Sequence, residues 1–106
     1  MIIGVHGSLK EGKYNHYLLE NETKRGSTKI KGTLYRVSSY PALIDEGEDE
    51  HELELYEVSD ATYKIISDME RRSGYVEKII NGATVFFAGD MLASYCKENC
   101  AIISEY

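Results

Sequence analysis

The sequence has no tryptophan, one proline, two cysteines and only two phenylalanines, against nine tyrosines. Most of its aromatic surface therefore carries a hydroxyl, and each such group that is buried needs a hydrogen-bond partner. One proline and nine glycines in 106 residues, with 42% hydrophobic residues, exclude a collagen-like, low-complexity or disordered chain. No apolar run reaches the roughly 18 residues of a membrane-spanning helix. The start, Met1-Ile2-Ile3-Gly4-Val5, has no basic region before it and meets His6 too early for a secretory signal. These absences predict a cytoplasmic protein with no membrane partner. Cys96 and Cys100 lie four apart, but the histidines at 6, 16 and 51 offer no matching pair, so the sequence predicts reduced thiols and no metal site.

Basic residues are also scarce, at 12 against 18 acids, which gives a net charge of −6. The imbalance is local. Residues 1–44 carry seven bases and three acids, whereas residues 45–60 carry nine acids and neither Lys nor Arg. This balance argues against a nucleic-acid partner, which calls for a basic face. The run Asp45-Glu46-Gly47-Glu48-Asp49-Glu50 lacks the alternating ligands and distant bidentate Glu of an EF-hand, and reads as a solvated loop.

The length allows one domain, over residues 1–106. Met1–Val5 reads as a buried strand that ends in the turn His6-Gly7-Ser8-Leu9. Tyr14–Glu20 reads as a short helix capped by Asn15. Strands are predicted at Lys29–Ser38, Tyr40–Ile44 and His51–Val58, the last with Glu54, Tyr56 and Val58 on one face. Ser59-Asp60 offers an N-cap for a helix to about Arg71, with Ala61, Ile65 and Met69 at helical spacing and Tyr63 and Ile66 beside them. Tyr75–Ile80 and Ala83–Ala88 flank Asn81-Gly82, a strong two-residue hairpin signal. A short helical turn and a strand at Ala101–Ile103 complete the chain. Strands without crossover helices between them predict an α+β fold, a closed or nearly closed small mixed β-barrel with two flanking helices.

Glu70 stands out by position. It follows Ile66 by four residues and Tyr63 by seven, so it continues a core-facing row near a helix C-terminus. Burial and the helix dipole would both raise its pKa toward the range useful for proton transfer, unless Arg71 or Arg72 reaches back to it. The strand-to-turn element His6-Gly7-Ser8-Leu9 can present backbone N–H groups and a hydroxyl to an anion. No glycine-rich nucleotide motif and no nucleophile elbow is present, and the neighbours His6 and Ser8 do not form a triad with a carboxylate.

These segments form a larger pattern. Val5-His6-Gly7-Ser8-Leu9-Lys10 is similar to an opening Tyr-Gly-Ser/Thr-Leu-Lys loop. Gly12-Lys13-Tyr14-Asn15-His16-Tyr17-Leu18-Leu19 is similar to a following Gly-x-x-Asn-His-x-x-Leu. Gly32-Thr33-Leu34-Tyr35, Tyr40-Pro41-Ala42-Leu43, Glu54-Leu55-Tyr56-Glu57-Val58 and Asp68-Met69-Glu70 with Tyr75 come next, in order. Together they resemble the γ-glutamylcyclotransferase-like family, in its compact γ-glutamylamine cyclotransferase branch. Three positions depart from the pattern: His6 stands for a tyrosine, and Leu53 and Arg71 stand for glycines.

The resemblance implies conversion of a γ-glutamyl amine or γ-glutamyl amino acid to 5-oxoproline and a free amine, without metal or organic cofactor. It implies Glu70 as the catalytic acid/base, with His6, Gly7, Ser8, Leu9, Tyr40 and Tyr75 around the substrate. A second reading is a non-catalytic module that binds a small anionic metabolite on the same scaffold. A third is a protein-interaction module that uses the acidic loop.

Overall fold

The structure, a computed structural model, describes residues 1–106. Its strands are β1 (Ile2–Val5), β2 (Thr23–Lys31), β3 (Thr33–Val37), β4 (Tyr40–Ile44), β5 (Glu50–Glu57), β6 (Tyr75–Ile80), β7 (Ala83–Ala88) and β8 (Ala101–Ile103). Two helices, α1 (Asp60–Arg72) and α2 (Asp90–Asn99), and a 3-10 turn (His16–Leu19) complete it. The fold is α+β. A five-stranded sheet runs in the order β2-β5-β1-β7-β6, and a three-stranded sheet in the order β4-β3-β8. In the larger sheet β1 is antiparallel to β5 and parallel to β7.

The two sheets do not close into the expected barrel. Their contact is apolar: Ile30, Leu53, Val85 and Phe87 of the larger sheet meet Leu34 and Leu43 of the smaller. One edge of the larger sheet is β2, whose residues other than Ile30 are exposed and include Lys24, Arg25, Lys29 and Lys31. A charged edge of this kind resists further pairing, so the sheets stack as layers. The continuous strand expected at Lys29–Ser38 is broken at Gly32, where the chain passes from one sheet to the other. A Cβ on Gly32 would lie 2.8 Å from the Ile44 carbonyl oxygen and 2.9 Å from Leu43 Cδ1. Only glycine permits that approach.

The opposite face of the larger sheet packs against α1 and the 3-10 turn through Ile3, Val5, Leu19, Tyr56, Val58, Ile66 and Phe86. β7 is central to both interfaces, which explains why five of its six residues are buried. α2 covers the far side of the smaller sheet, with Cys96 against Ala42 and Ile44. Its ten residues exceed the short turn read from the sequence.

Ser59 caps α1 by accepting from the Thr62 amide at 3.2 Å, as its position predicts. The covered rows contain Tyr63, Ile66, Ser67, Met69 and Glu70, as the inward row of Glu70 predicts, whereas Ala61 and Ile65, expected among the apolar contacts, are exposed. Asn81 (φ 51°) and Gly82 (φ 84°) form the β6–β7 hairpin, with Ile80 opposite Ala83. Both residues have the positive φ that such a tight turn requires. The predicted cap at Asn15 is not made, because its side chain is used elsewhere.

The crossing at Gly32 generates a stability prediction. Gly32→Ala forces the Ile44 backbone or the Leu43 side chain to move, and is expected to cost about 1–3 kcal/mol. Urea denaturation with an unchanged midpoint would show that the two sheets tolerate wider spacing there.

Candidate functional site

A cavity of about 230 Å³ opens between the C-terminal end of β1, the loop that follows it, β4 and the end of α1. A void of this size admits a small metabolite. The structure brings all seven of the singled-out residues to its wall: His6, Gly7, Ser8 and Leu9 from the loop, Tyr40 from β4, Glu70 from α1 and Tyr75 from β6. Sequence reasoning did not single out Tyr14, Pro41, Met69, Ser73 and Phe86, which also line it.

The loop is held from several sides. Asn15 Nδ2 donates to Ser8 Oγ at 2.9 Å, and the Asn15 amide donates to the Ser8 carbonyl at 2.8 Å. His16 Nδ1 donates to the Leu9 carbonyl at 2.9 Å. Glu54, almost fully buried in β5, accepts from the Glu11 amide at 2.8 Å and from the Tyr56 hydroxyl at 2.9 Å. The sequence showed Asn15 as a helix cap and His16 and Glu54 only as parts of short motifs; their shared use is to fix this loop. The side chain of Leu9 is in the core, so Leu9 offers the cavity mainly its backbone. The amides of Gly7, Ser8 and Leu9 donate to no protein acceptor. Consecutive free N–H groups of this kind suit an anion.

Pro41 forms the facing wall. A Cβ on Gly7 would fall 2.7 Å from Pro41 Cγ, which explains glycine at that position. The Tyr75 hydroxyl donates to the Pro41 carbonyl at 2.7 Å. Tyr75 thus ties β6 to β4 beside the loop, and burial together with the nearby Glu70 keeps its hydroxyl protonated. Tyr40 and Tyr14 lie at the mouth and are about half and mostly exposed.

His6 Nε2 lies 2.9 Å from the Phe86 carbonyl oxygen. That oxygen can only accept, so Nε2 carries the proton. Nδ1 is then bare, and it is buried without a partner. Burial pushes the His6 pKa down, against the opposing pull of the Phe86 carbonyl, with His51 and Lys10 adding to the depression. The ring is neutral at physiological pH.

Glu70 is the one carboxylate on the cavity wall. It has no hydrogen bond or ion pair through its side chain. Neither adjacent arginine reaches it: Arg71 Nη2 donates to Glu77 Oε1 at 2.8 Å, and Arg72 Nε donates to the Asp68 carbonyl at 3.2 Å. Burial alone pushes its pKa from 4.5 up to about 7. A half-buried carboxyl of that pKa can take up and return a proton near neutral pH.

Comparison with known proteins gives this geometry a family. No curated protein matches the chain. Among solved structures, an uncharacterised Pyrococcus horikoshii protein, PH0828, is 28% identical, with a TM-score of 0.71 over 85% of this chain and 79% of its own. The solution structure of ytfP from Escherichia coli is 22% identical, with a TM-score of 0.71 over 99% of this chain and 93% of its own. The same fold occurs within Kluyveromyces lactis allophanate hydrolase, at 20% identity and a TM-score of 0.74, where this chain spans 97% of itself and 19% of that protein. The family model described as γ-glutamyl cyclotransferase, AIG2-like, matches residues 3–97. The chain belongs to that family.

Proposed function

We propose that the protein is a γ-glutamyl cyclotransferase that releases 5-oxoproline from a γ-glutamyl amine or γ-glutamyl amino acid, with Glu70 as general acid/base. The observation that carries this reading is the unpaired carboxyl of Glu70, raised to about 7 on the wall of a cavity that also contains the Gly7-Ser8-Leu9 loop. Family membership supports the reaction class.

The chemistry is intramolecular. The α-amine of the substrate attacks its own γ-carbonyl carbon and closes a five-membered lactam. A new C–N bond forms, and the original amide C–N bond breaks. Glu70 accepts a proton from the attacking nitrogen and returns one to the departing nitrogen, so no water is consumed. The main demand on the protein is to hold the substrate folded, which replaces the encounter of two molecules. Free amides of Gly7, Ser8 and Leu9 are suited to the substrate carboxylate or to the oxyanion of the tetrahedral intermediate. Asn15 donates to Ser8 Oγ, which leaves the Ser8 hydroxyl hydrogen available to the substrate.

Incubation with a panel of γ-glutamyl amines and γ-glutamyl amino acids, read as 5-oxoproline release, tests the reading. Turnover of at least one compound is expected, falling by about 100-fold or more in Glu70→Gln. Retained activity in that variant would remove Glu70 from the mechanism. Saturable binding with no product would favour the non-catalytic module.

The same carboxyl makes stability depend on pH. Between pH 4.5 and about 7, the folded chain holds a proton at Glu70 that the unfolded chain has released. Stability therefore falls as pH rises through this window, and the ionised group is a net cost above it. Glu70→Gln is neutral throughout. It is expected to be more stable than the wild type above about pH 7, by at most about 3 kcal/mol, and equally stable near pH 4. Matching denaturation midpoints at about pH 8 would show that Glu70 is fully solvated.

A further inference from the structure

The last turn of α1 places a guanidinium one residue from the unpaired carboxylate. Consecutive Cα atoms are about 3.8 Å apart, well within the combined reach of a Glu and an Arg side chain. An arginine within about 4–6 Å holds a carboxyl well below its ordinary pKa, often by 1–3 units. Adjacent helix positions do not face each other, so Arg71 meets Glu70 only if its long side chain folds back toward it, and a partner on its own side prevents that.

Glu77 of β6 is placed to do so. Three residues of α1 at successive i, i+4 positions converge on it: Tyr63 donates to Oε2, Ser67 Oγ donates to Oε1 at 2.7 Å, and Arg71 Nη2 donates to Oε1 at 2.8 Å. This row lies beside the row of Ile66 and Glu70, and a helix cannot turn one row without the other. Burial would raise the Glu77 pKa, but the hydrogen bonds from Tyr63 and Ser67 and the charge of Arg71 outweigh it and hold the group ionised. The ion pair is partly covered, because the Glu77 side chain is 24% exposed. Arg72 is accounted for separately by the Asp68 carbonyl.

We propose that Glu77 is a positioning residue for Glu70: it anchors the 63–67–71 row of α1 to β6 and holds Arg71 off the cavity carboxylate, which stays unpaired. The remaining titratable groups around Glu70 do not substitute for it. His6 and Tyr14 come from the loop, Tyr40 from β4 and Tyr75 from β6. His6 is kept neutral by burial, and on the helix Asp68 pairs with Lys64 at 3.2 Å. Arg71 is the cation whose placement decides the ionisation of Glu70.

The inference rests on Glu70 as the proton-transfer group, but its test does not need turnover. The Glu70 carboxyl is titrated by carbon-13 NMR in the full chain, with the resonance assigned by its loss in Glu70→Gln. Glu77→Gln keeps the shape of the side chain and removes its charge. Its Glu70 midpoint is expected to fall by about 1 unit or more. Arg71→Gln alone should leave the midpoint unchanged, and Glu77→Gln combined with Arg71→Gln should restore it. The acidic limb of the activity profile should move with the midpoint. An unchanged midpoint in Glu77→Gln, or an equal fall in the double variant, overturns the proposal. If the titrations behave as expected and no 5-oxoproline forms, the functional reading fails while the placement of Arg71 by Glu77 stands.

Discussion

Glu70 is withdrawn from water on a helix whose last turn carries two arginines, and neither of them touches it. An ionised carboxylate in that position loses hydration and gains no partner in return. The fold leaves this cost uncompensated, because the polar groups of the neighbours are already engaged. Arg71 is bound to Glu77, Arg72 to a backbone carbonyl of its own helix, and the Tyr75 hydroxyl to Pro41. His6 is neutral with its Nε2 proton on Phe86. A carboxyl in such surroundings is neither a fixed charge nor a permanent acid.

The loop after β1 solves the opposite problem. Its amides must stay unpaired while the backbone stays rigid. Rigidity comes from the other polar atoms of the segment: the carbonyls of Ser8 and Leu9, the Ser8 hydroxyl and the Glu11 amide are each tied to Asn15, His16 or Glu54. Glu54 is buried for this purpose, and its second donor, the Tyr56 hydroxyl, helps make the burial tolerable. Free donors on an immobilised backbone suit an anion without further reorganisation.

Elements governed by local chemistry were legible in the sequence. The Ser59 cap, the Asn81-Gly82 hairpin and the inward row of Glu70 depend on residues a few positions apart, and each is found as read. The errors arose where distant contacts decide. β2 has no apolar alternation, because it is an exposed edge held by backbone pairing to β5. Its separation from β3 depends on Gly32 approaching Ile44, twelve residues away. Glu77 ties α1 to β6 through Tyr63, Ser67 and Arg71, a contact that no periodicity within the helix reveals. Within the cavity, residue types and motif order gave the wall, but not the hydrogen bonds that set each group's state. The bare Nδ1 of His6 follows from the Phe86 carbonyl, eighty residues along the chain.

The acidic segment shows how a compositional feature dissolves into separate tasks. Asp45 pairs with Lys78 at 3.0 Å, Glu46 with Lys97 at 2.8 Å and Glu48 with Lys31 at 2.8 Å. These lysines come from β6, α2 and β2, so the loop is stitched to three distant elements. Exposed pairs of this kind contribute little each, but they reduce the free negative charge that a basic partner would meet. Farther along, Glu57 of β5 pairs with Arg25 of the edge strand β2 at 2.7 Å, and Glu54 turns inward to hold the cavity loop. One run of acids therefore contains surface ties, a strand-to-strand pair and a structural support for the site. That division weakens the reading of the segment as a docking surface, and it connects the charge of the chain to the cavity through Glu54.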